Sequence, residues 1–303
     1  MFSVHLADNI LDLHWELYNK TYQHGLYHAF KINDPKPRDI HKANVRDRLV
    51  HRAIYRILYS YFDKKFIFDS YSCRCRKGTH RAINRFRQYT LIVSKNNTKT
   101  VWVLKCDIRK FFANINHNIL KDIFLKHITD SDIIWLLGCV VDSFNTQDKI
   151  GVGLPLGNLT SQLFVNIYMN EFDQFVKRKL KAKYYIRYAD DFVIFSQDKK
   201  WLEEILKRIK LFLIEELKLE LHPDKVFIKT FVSGIDFLGW INFSHHKMLR
   251  TTTKKRMFKK VSFNPVSEML NSYLGLLKHG NTYKIRRNLI NNYKNKNLNL
   301  GEH

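Results

Sequence analysis

Hydrophobic and polar positions alternate along this chain with two periods. Residues 42–62 place Val45, Leu49, Ile54, Ile57, Leu58 and Tyr61 near helical spacing with Lys and Arg between them, which predicts an amphipathic basic helix. The run 100–107 (TVWVLKCD) predicts a mostly buried strand, and 116–127 and 131–142 predict helices after it. Glycines between Gly151 and Gly157 break the pattern, and a helix is expected over 158–179. Two short apolar runs, 184–188 and 192–196, read as strands joined by a tight turn through Ala189, Asp190 and Asp191. An amphipathic helix over 199–217 and strands at 226–230 and 235–240 complete a mixed α+β layer arrangement. Beyond that the character changes: from Lys247 to Lys296 there are thirteen Lys and Arg against one acid, Glu268, on segments of helical periodicity.

Charge sharpens this picture. The 303 residues carry 52 Lys and Arg against 28 Asp and Glu, a formal charge of +24, with 45% hydrophobic and 14% aromatic residues. Enough apolar surface is present for a real core, so a disordered basic tail is excluded, and a field of that size calls for a polyanionic partner. Nucleic acid is the expected one. The longest apolar run, 133–141, is far short of the roughly 20 residues of a membrane-spanning helix, and the polar start MFSVHLADN has no charged leader before an apolar stretch. A cytoplasmic protein without a membrane partner is expected. Cys106 and Cys139 sit singly in apolar segments as buried thiols, and the C-x-C of Cys73 and Cys75 lacks a second pair at zinc spacing.

In so basic a chain, an acid among apolar neighbours is informative. Glu203-Glu204 and Glu215-Glu216 lie among lysines on a helix and read as a solvated face. Asp190-Asp191, in IRYADDFVIF, is different: adjacent carboxylates between apolar strands are costly unless a cation or proton compensates. Asp107 ends the strand VWVLKCD. Three carboxylates on neighbouring strand ends suit two Mg²⁺ roughly 3.5–4 Å apart, the arrangement that serves phosphoryl transfer. Magnesium needs few protein ligands, because waters and substrate phosphates supply the others.

Tyr188-Ala189-Asp190-Asp191 resembles the catalytic Y-A-D-D box of reverse transcriptases. In order come PRDIHKANVRDRLVHRAI (37–54), FDSYSCRCRKGTHRAI (68–83), LKCDIRKFFANI (104–115), GLPLGNLTSQLFVNIYMNEFDQFVK (153–177), the box itself, LHPDK (221–225) and GIDFLGW (234–240). These resemble that family's successive fingers and palm blocks over about residues 35–240. Most bacterial members carry Gln before the glycine and Pro after the serine of the fourth block, whereas this chain has Leu156 before Gly157 and Gln162 after Ser161. PLGNLTSQ, with the late stretch SYLGLLKHGNTYKIRRNL (272–289), is most similar to the reverse transcriptases of diversity-generating retroelements. Retron, intron and phage-defence enzymes are the related alternatives.

The resemblance implies a right-hand polymerase fold: an N-terminal segment and fingers over 1–100 extending in part to 150, a palm with an antiparallel sheet packed on helices over 101–240, and a short basic helical thumb with a tail over 241–303. It implies an RNA-directed DNA polymerase, prokaryotic or phage-encoded, in which Asp107, Asp190 and Asp191 hold two Mg²⁺ and the Ile108 carbonyl adds a ligand. Phe112 becomes the bulky gate under the sugar, with a core aromatic role as the alternative. Leu156, Gly157 and Gln162 line the incoming nucleotide, and an aliphatic Leu156 in place of glutamine implies weaker base discrimination with errors at template adenines. Arg74 and Lys77 are implied at the triphosphate, with Arg76 and Arg81 in the same basic patch. Lys225 is implied near the pyrophosphate. The basic stretch after Lys247, with Phe258, Tyr273 and Tyr283, implies a grip on template and primer. Implied partners are template RNA, a DNA or RNA primer, deoxynucleoside triphosphates and a small basic accessory protein. The non-enzymatic alternative is an RNA-binding scaffold whose polymerase fold is unused.

Overall fold

The structure is a computed structural model that describes residues 5–34, 37–147, 149–263 and 266–300, except for the side chains of 296–300. In chain order the elements are α1 (Leu6–Tyr18), β1 (His28–Ile32), β2 (Arg38–Lys42), α2 (Val45–Phe62), α3 (Thr79–Val93), β3 (Trp102–Asp107), α4 (His117–Leu125), α5 (Ser131–Asp142) and α6 (Leu159–Gln174). There follow β4 (Tyr185–Tyr188), β5 (Asp191–Ser196), α7 (Lys199–Glu215), β6 (Phe227–Thr230), β7 (Ile235–Phe237), β8 (Trp240–Asn242), β9 (Lys247–Leu249), α8 (Thr251–Phe263), α9 (Ser267–Leu277) and α10 (Tyr283–Leu300). The fold is mixed α+β. A four-stranded sheet has the order β4-β5-β3-β6, which sets the Asp107 strand beside the strand that Asp191 opens.

Two compact units share the chain, one taking residues 1–78, 105–193 and 204–226, the other 79–104, 194–203 and 227–303. In the first, α6 is buried on nearly every side, with polar Thr160, Ser161, Asn166, Asn170 and Asp173 among its buried residues, and packs against α2 and α4. Its last turn widens into a π-helical stretch, Phe175–Lys179. Asn44 caps α2 by accepting from Asp47 N at 2.8 Å. The antiparallel hairpin of β1 and β2 pairs His28 with Lys42 and Ile32 with Arg38. The second unit gathers Ile83, Trp240, Leu249, Met257, Val261, Leu277 and Leu289 into one core. Gly280 is required there, since a Cβ would stand 2.1 Å from Trp240 Cζ3.

The strand expected over 235–240 is a hairpin instead. Leu238 and Gly239 take φ of 51° and 86°, so the chain reverses between β7 and β8, because a two-residue turn of this hand matches the twist of its strands. Cys106 is buried as expected and Cys139 half-buried. Glu203, Glu204, Glu215 and Glu216 are all exposed.

Candidate active site

The three acids singled out by the sequence meet within the first unit, and local structure explains how. Asp107 is the last residue of β3, and Asp190 and Asp191 occupy the turn and the start of β5. Ile108 N donates to Asp190 O at 3.1 Å, which ties the end of β3 to the β4–β5 turn. Ala189 carries that turn at φ 55°, a left-handed conformation that costs a residue with a Cβ about 1–2 kcal/mol. Arg187 holds it in place by donating from Nη1 to Ala189 O at 3.1 Å. The same guanidinium makes a fork with Asp173, Nε to Oδ1 at 2.8 Å and Nη2 to Oδ2 at 2.7 Å. It also reaches Asn166 Oδ1 and Ser70 Oγ, while Tyr185 OH donates to Asp173. Arg187 and Asp173 are both fully buried, so their fork fixes the turn from beneath.

Electrostatics make the trio unusual. Burial, above all, pushes the Asp191 carboxyl up to about 7; Asp190 and Asp107 push the same way, and Lys105 pulls against them. Asp190 is raised as well, by burial and then by Asp107. Lys105 Nζ is 3.1 Å from Asp191 Oδ1, and Lys225 Nζ is 2.8 Å from Asp107 Oδ1. Apart from that ion pair with Lys105, Asp191 Oδ1 is a buried oxygen with no donor among the described residues. A buried carboxylate oxygen beside two other carboxylates suits a divalent cation, and an all-carboxylate donor set suits magnesium. Among the described residues no three His, Cys, Asp or Glu side chains form a ready-made metal cage. That fits an ion whose remaining ligands come from water and substrate phosphate.

A cleft of about 520 Å³, within the range of small-molecule sites, opens in the same unit. Phe112 and Leu156 share its wall with His41, Phe144 and Thr146. Phe111, its neighbour in sequence, is 4% exposed and turned into the core, so the two adjacent rings have different surroundings. Segment 112–115 is pinned by Leu154 N donating to Phe112 O and Gly153 N to Ile115 O, both at 2.8 Å. Leu156 O accepts from His41 N at 2.9 Å, which fixes Leu156 against β2. Gly157, at φ 110°, passes so close that a Cβ would lie 2.7 Å from Ile40 Cγ2. Gln162 is half-buried on the first turns of α6.

The basic residues of the second block are arranged otherwise than a free triphosphate contact would be. Arg74 donates from Nε to Asp63 Oδ1 at 2.7 Å, from Nη1 to Ile67 O and Ser70 O, and from Nη2 to Asp63 O. Its guanidinium thus closes the 63–74 loop on itself. Lys77 Nζ lies 3.5 Å from the Phe68 ring centroid and donates to Phe68 O at 2.7 Å. Sequence reasoning missed Lys105, Arg187 and Asp173. The signals were there: Lys105 is a lone cation in a buried strand two residues before Asp107, on the same face, and Arg187 is a lone cation in IRYADD.

Residues 31–242 match the family described as reverse transcriptase (RNA-dependent DNA polymerase). The chain is 26% identical to Protein YkfC of Escherichia coli, across 75% of this chain and 67% of that protein. It is 24% identical to the group II intron-encoded protein LtrA of Lactococcus lactis, across 79% of this chain and 50% of LtrA. Among solved structures, telomerase from Candida albicans in complex with the TWJ fragment of telomeric RNA superposes with a TM-score of 0.61 at 12% identity, over 93% of this chain and 56% of that one. Apo telomerase from Candida tropicalis gives 0.56 at 14% identity, over 95% and 61%. These structures share the right-hand polymerase fold with this chain. The chain spans about half to two thirds of the length of these relatives.

Proposed function

The chain belongs to the reverse transcriptase (RNA-dependent DNA polymerase) family, and on that premise we propose that it copies an RNA template into DNA, with Asp107, Asp190 and Asp191 holding two Mg²⁺. The observation that carries this reading is the meeting of three carboxylates where the end of β3 is tied to the β4–β5 turn, one of them buried with its carboxyl raised to about 7. When bound, the ions would activate the primer 3′-hydroxyl and neutralise charge on the attacked and leaving phosphate oxygens. The Ile108 carbonyl adds a ligand.

The protein's own residues do the rest. Lys105 and Lys225 stand against Asp191 and Asp107, and Lys225, half in solvent, stands ready to give a proton to the departing pyrophosphate. Phe112 lines the cleft wall, and as the bulky gate under the sugar its ring would clash with a ribose 2′-hydroxyl and so favour deoxynucleotides. Gly157 and Gln162 border the incoming nucleotide, Lys77 reaches its triphosphate by leaving the Phe68 ring and carbonyl it contacts here, and Arg74 orders the loop that precedes Lys77. Fingers occupy 1–100 and part of the stretch to 150, palm 101–240 and thumb 241–303. Template RNA, primer and deoxynucleoside triphosphates are the substrates, in the cytoplasm of a prokaryote or under a phage genome.

The finer assignment is to the mutagenic enzymes of diversity-generating retroelements, working with a small basic accessory protein. PLGNLTSQ supports it, and so does Leu156, which lines the same cleft as Phe112 and offers no polar contact to a base. An intron-type enzyme is the second reading, favoured by the identity to LtrA. Sequencing the cDNA made from an adenine-rich RNA with Mg²⁺ separates them. The retroelement reading predicts errors concentrated at template adenines and reduced about tenfold by Leu156→Gln. Faithful cDNA from the wild type contradicts it in favour of the second.

A further inference from the structure

Beyond the cleft, the second unit holds a small basic recess built by α3 and the turn between β8 and β9. Its volume is about 70 Å³, several times the roughly 10–15 Å³ that one water needs. Arg87 and Asn84, one helical turn apart on α3, face His245, His246 and Lys247 across it. Among the described residues no carboxylate lines the recess. Asp236, the one acid between residues 227 and 263, is already paired with Arg250. Burial, and then Arg87, depresses Lys247; burial, then His279 and Lys247, depresses His80, whose ring stacks on that of His279 at 3.7 Å. Arg87 and Lys247 thus share the recess, and among the described residues its lining brings them no carboxylate.

A second feature adjoins the first. Phe243 N donates to His246 O at 2.9 Å, closing the β8–β9 turn so that the rings of Phe243 and His246 stack in parallel, 4.8 Å apart at 12°. His246 is exposed, so one face of this stack is open to solvent. Cations converging on a recess the size of one oxyanion, beside an open aromatic plate, are the two elements that hold a single nucleic-acid strand: phosphate in the recess, base on the ring.

We propose that the recess formed by Asn84, Arg87 and Lys247, with the Phe243–His246 stack beside it, is a binding site for a backbone phosphate and adjoining base of single-stranded RNA. All three carboxylates of the polymerase site belong to the other unit, so this site does not depend on the polymerase reading. A chain unable to make cDNA would still hold RNA here. The unit is suited to the task, with 21 Lys and Arg against five Asp and Glu.

Because the whole unit is basic, the test must separate a site from a diffuse field. Binding of the full-length chain to a fluorescein-labelled single-stranded RNA of about 12 nucleotides is read by anisotropy across a salt series in EDTA, so that no metal-dependent binding contributes. Arg87→Gln and His246→Ala each weaken binding about tenfold, and Arg87→Gln lowers the slope of log K against log salt by about 0.7, one phosphate contact. Lys99→Gln, which removes an equally exposed charge from the same unit, weakens it less than about threefold. Equal losses for Lys99→Gln and Arg87→Gln, or wild-type binding in both recess variants, overturn the proposal. Inorganic phosphate distinguishes the source of the anion. If it raises Tm in an Arg87-dependent way while RNA binding ignores Arg87→Gln, the recess takes free phosphate and the RNA assignment is wrong.

Discussion

At the scale of single residues, the active-site account rests on charge held where solvent cannot screen it. Asp191 keeps 19% of its side-chain exposure, and its carboxyl is raised to about 7 from an ordinary value near 3.8. Folding therefore takes up a proton between those values, and the metal-free protein loses stability as pH rises through 7. The direction is net of the pull from Lys105. Asp191→Asn removes the penalty, so in EDTA its Tm exceeds that of wild type by about 3 °C or more at pH 8, with the gap closing towards pH 5. Added Mg²⁺ raises the wild-type Tm at pH 8 and leaves the variant nearly unchanged. A gap that widens on acidification contradicts the assignment. Phe112 carries a separate prediction, because its ring lines the cleft while Phe111 fills the core. Phe112→Ala raises ribonucleotide incorporation relative to deoxynucleotide by roughly tenfold or more in single-nucleotide extension, with little change in Tm. A large loss of stability without altered sugar selection would make Phe112 a packing residue.

Elements show which parts of the fold were legible. Strands 102–107, 185–188 and 191–196 were readable because buried apolar runs flank the acids, and α6 because its apolar residues fill a helix-length window. Strands β1 and β2 were not, since every residue of β1 is exposed and no alternation marks an inward face. Helix α3 hid its buried Ala82, Ile83, Phe86, Tyr89 and Val93 among Arg81, Asn84, Arg85, Arg87 and Gln88, which blur the apolar stripe. The three aspartates were found because acids are scarce here, whereas Lys105 and Arg187 were lost among 52 basic residues. Their burial, at 7% and 0% exposure, confirms what their lone place in apolar strands signalled. The β4–β5 hairpin gives a prediction at this scale. Arg187→Met leaves Asp173 charged and unpaired in the core, which costs about 3–5 kcal/mol, and frees the strained Ala189 turn. The urea midpoint falls accordingly, and the metal-dependent rise in Tm is lost even below the transition. Wild-type stability in this variant would show that the fork is not what holds the turn.

Over the whole molecule, charge and fold point to the same substrate class. The second unit carries 21 Lys and Arg against five acids, so about two thirds of the net +24 lies in little more than a third of the chain. The acids are concentrated in the other unit, which holds the three carboxylates and the cleft. A basic surface attracts the nucleic-acid backbone at a distance, and a small acidic centre then needs divalent cations before phosphates can approach it. Membership of the reverse transcriptase family agrees with a nucleic-acid substrate. The central claim is that the meeting of Asp107, Asp190 and Asp191 is a polymerisation centre. The most direct measurement is Mg²⁺-dependent extension of a DNA primer on an RNA template, comparing wild type with the Asp190→Asn, Asp191→Asn double variant at matched RNA binding. The account predicts extension by the wild type and a loss of about a thousandfold or more in the variant, with RNA affinity unchanged. Undiminished extension by the double variant would contradict it.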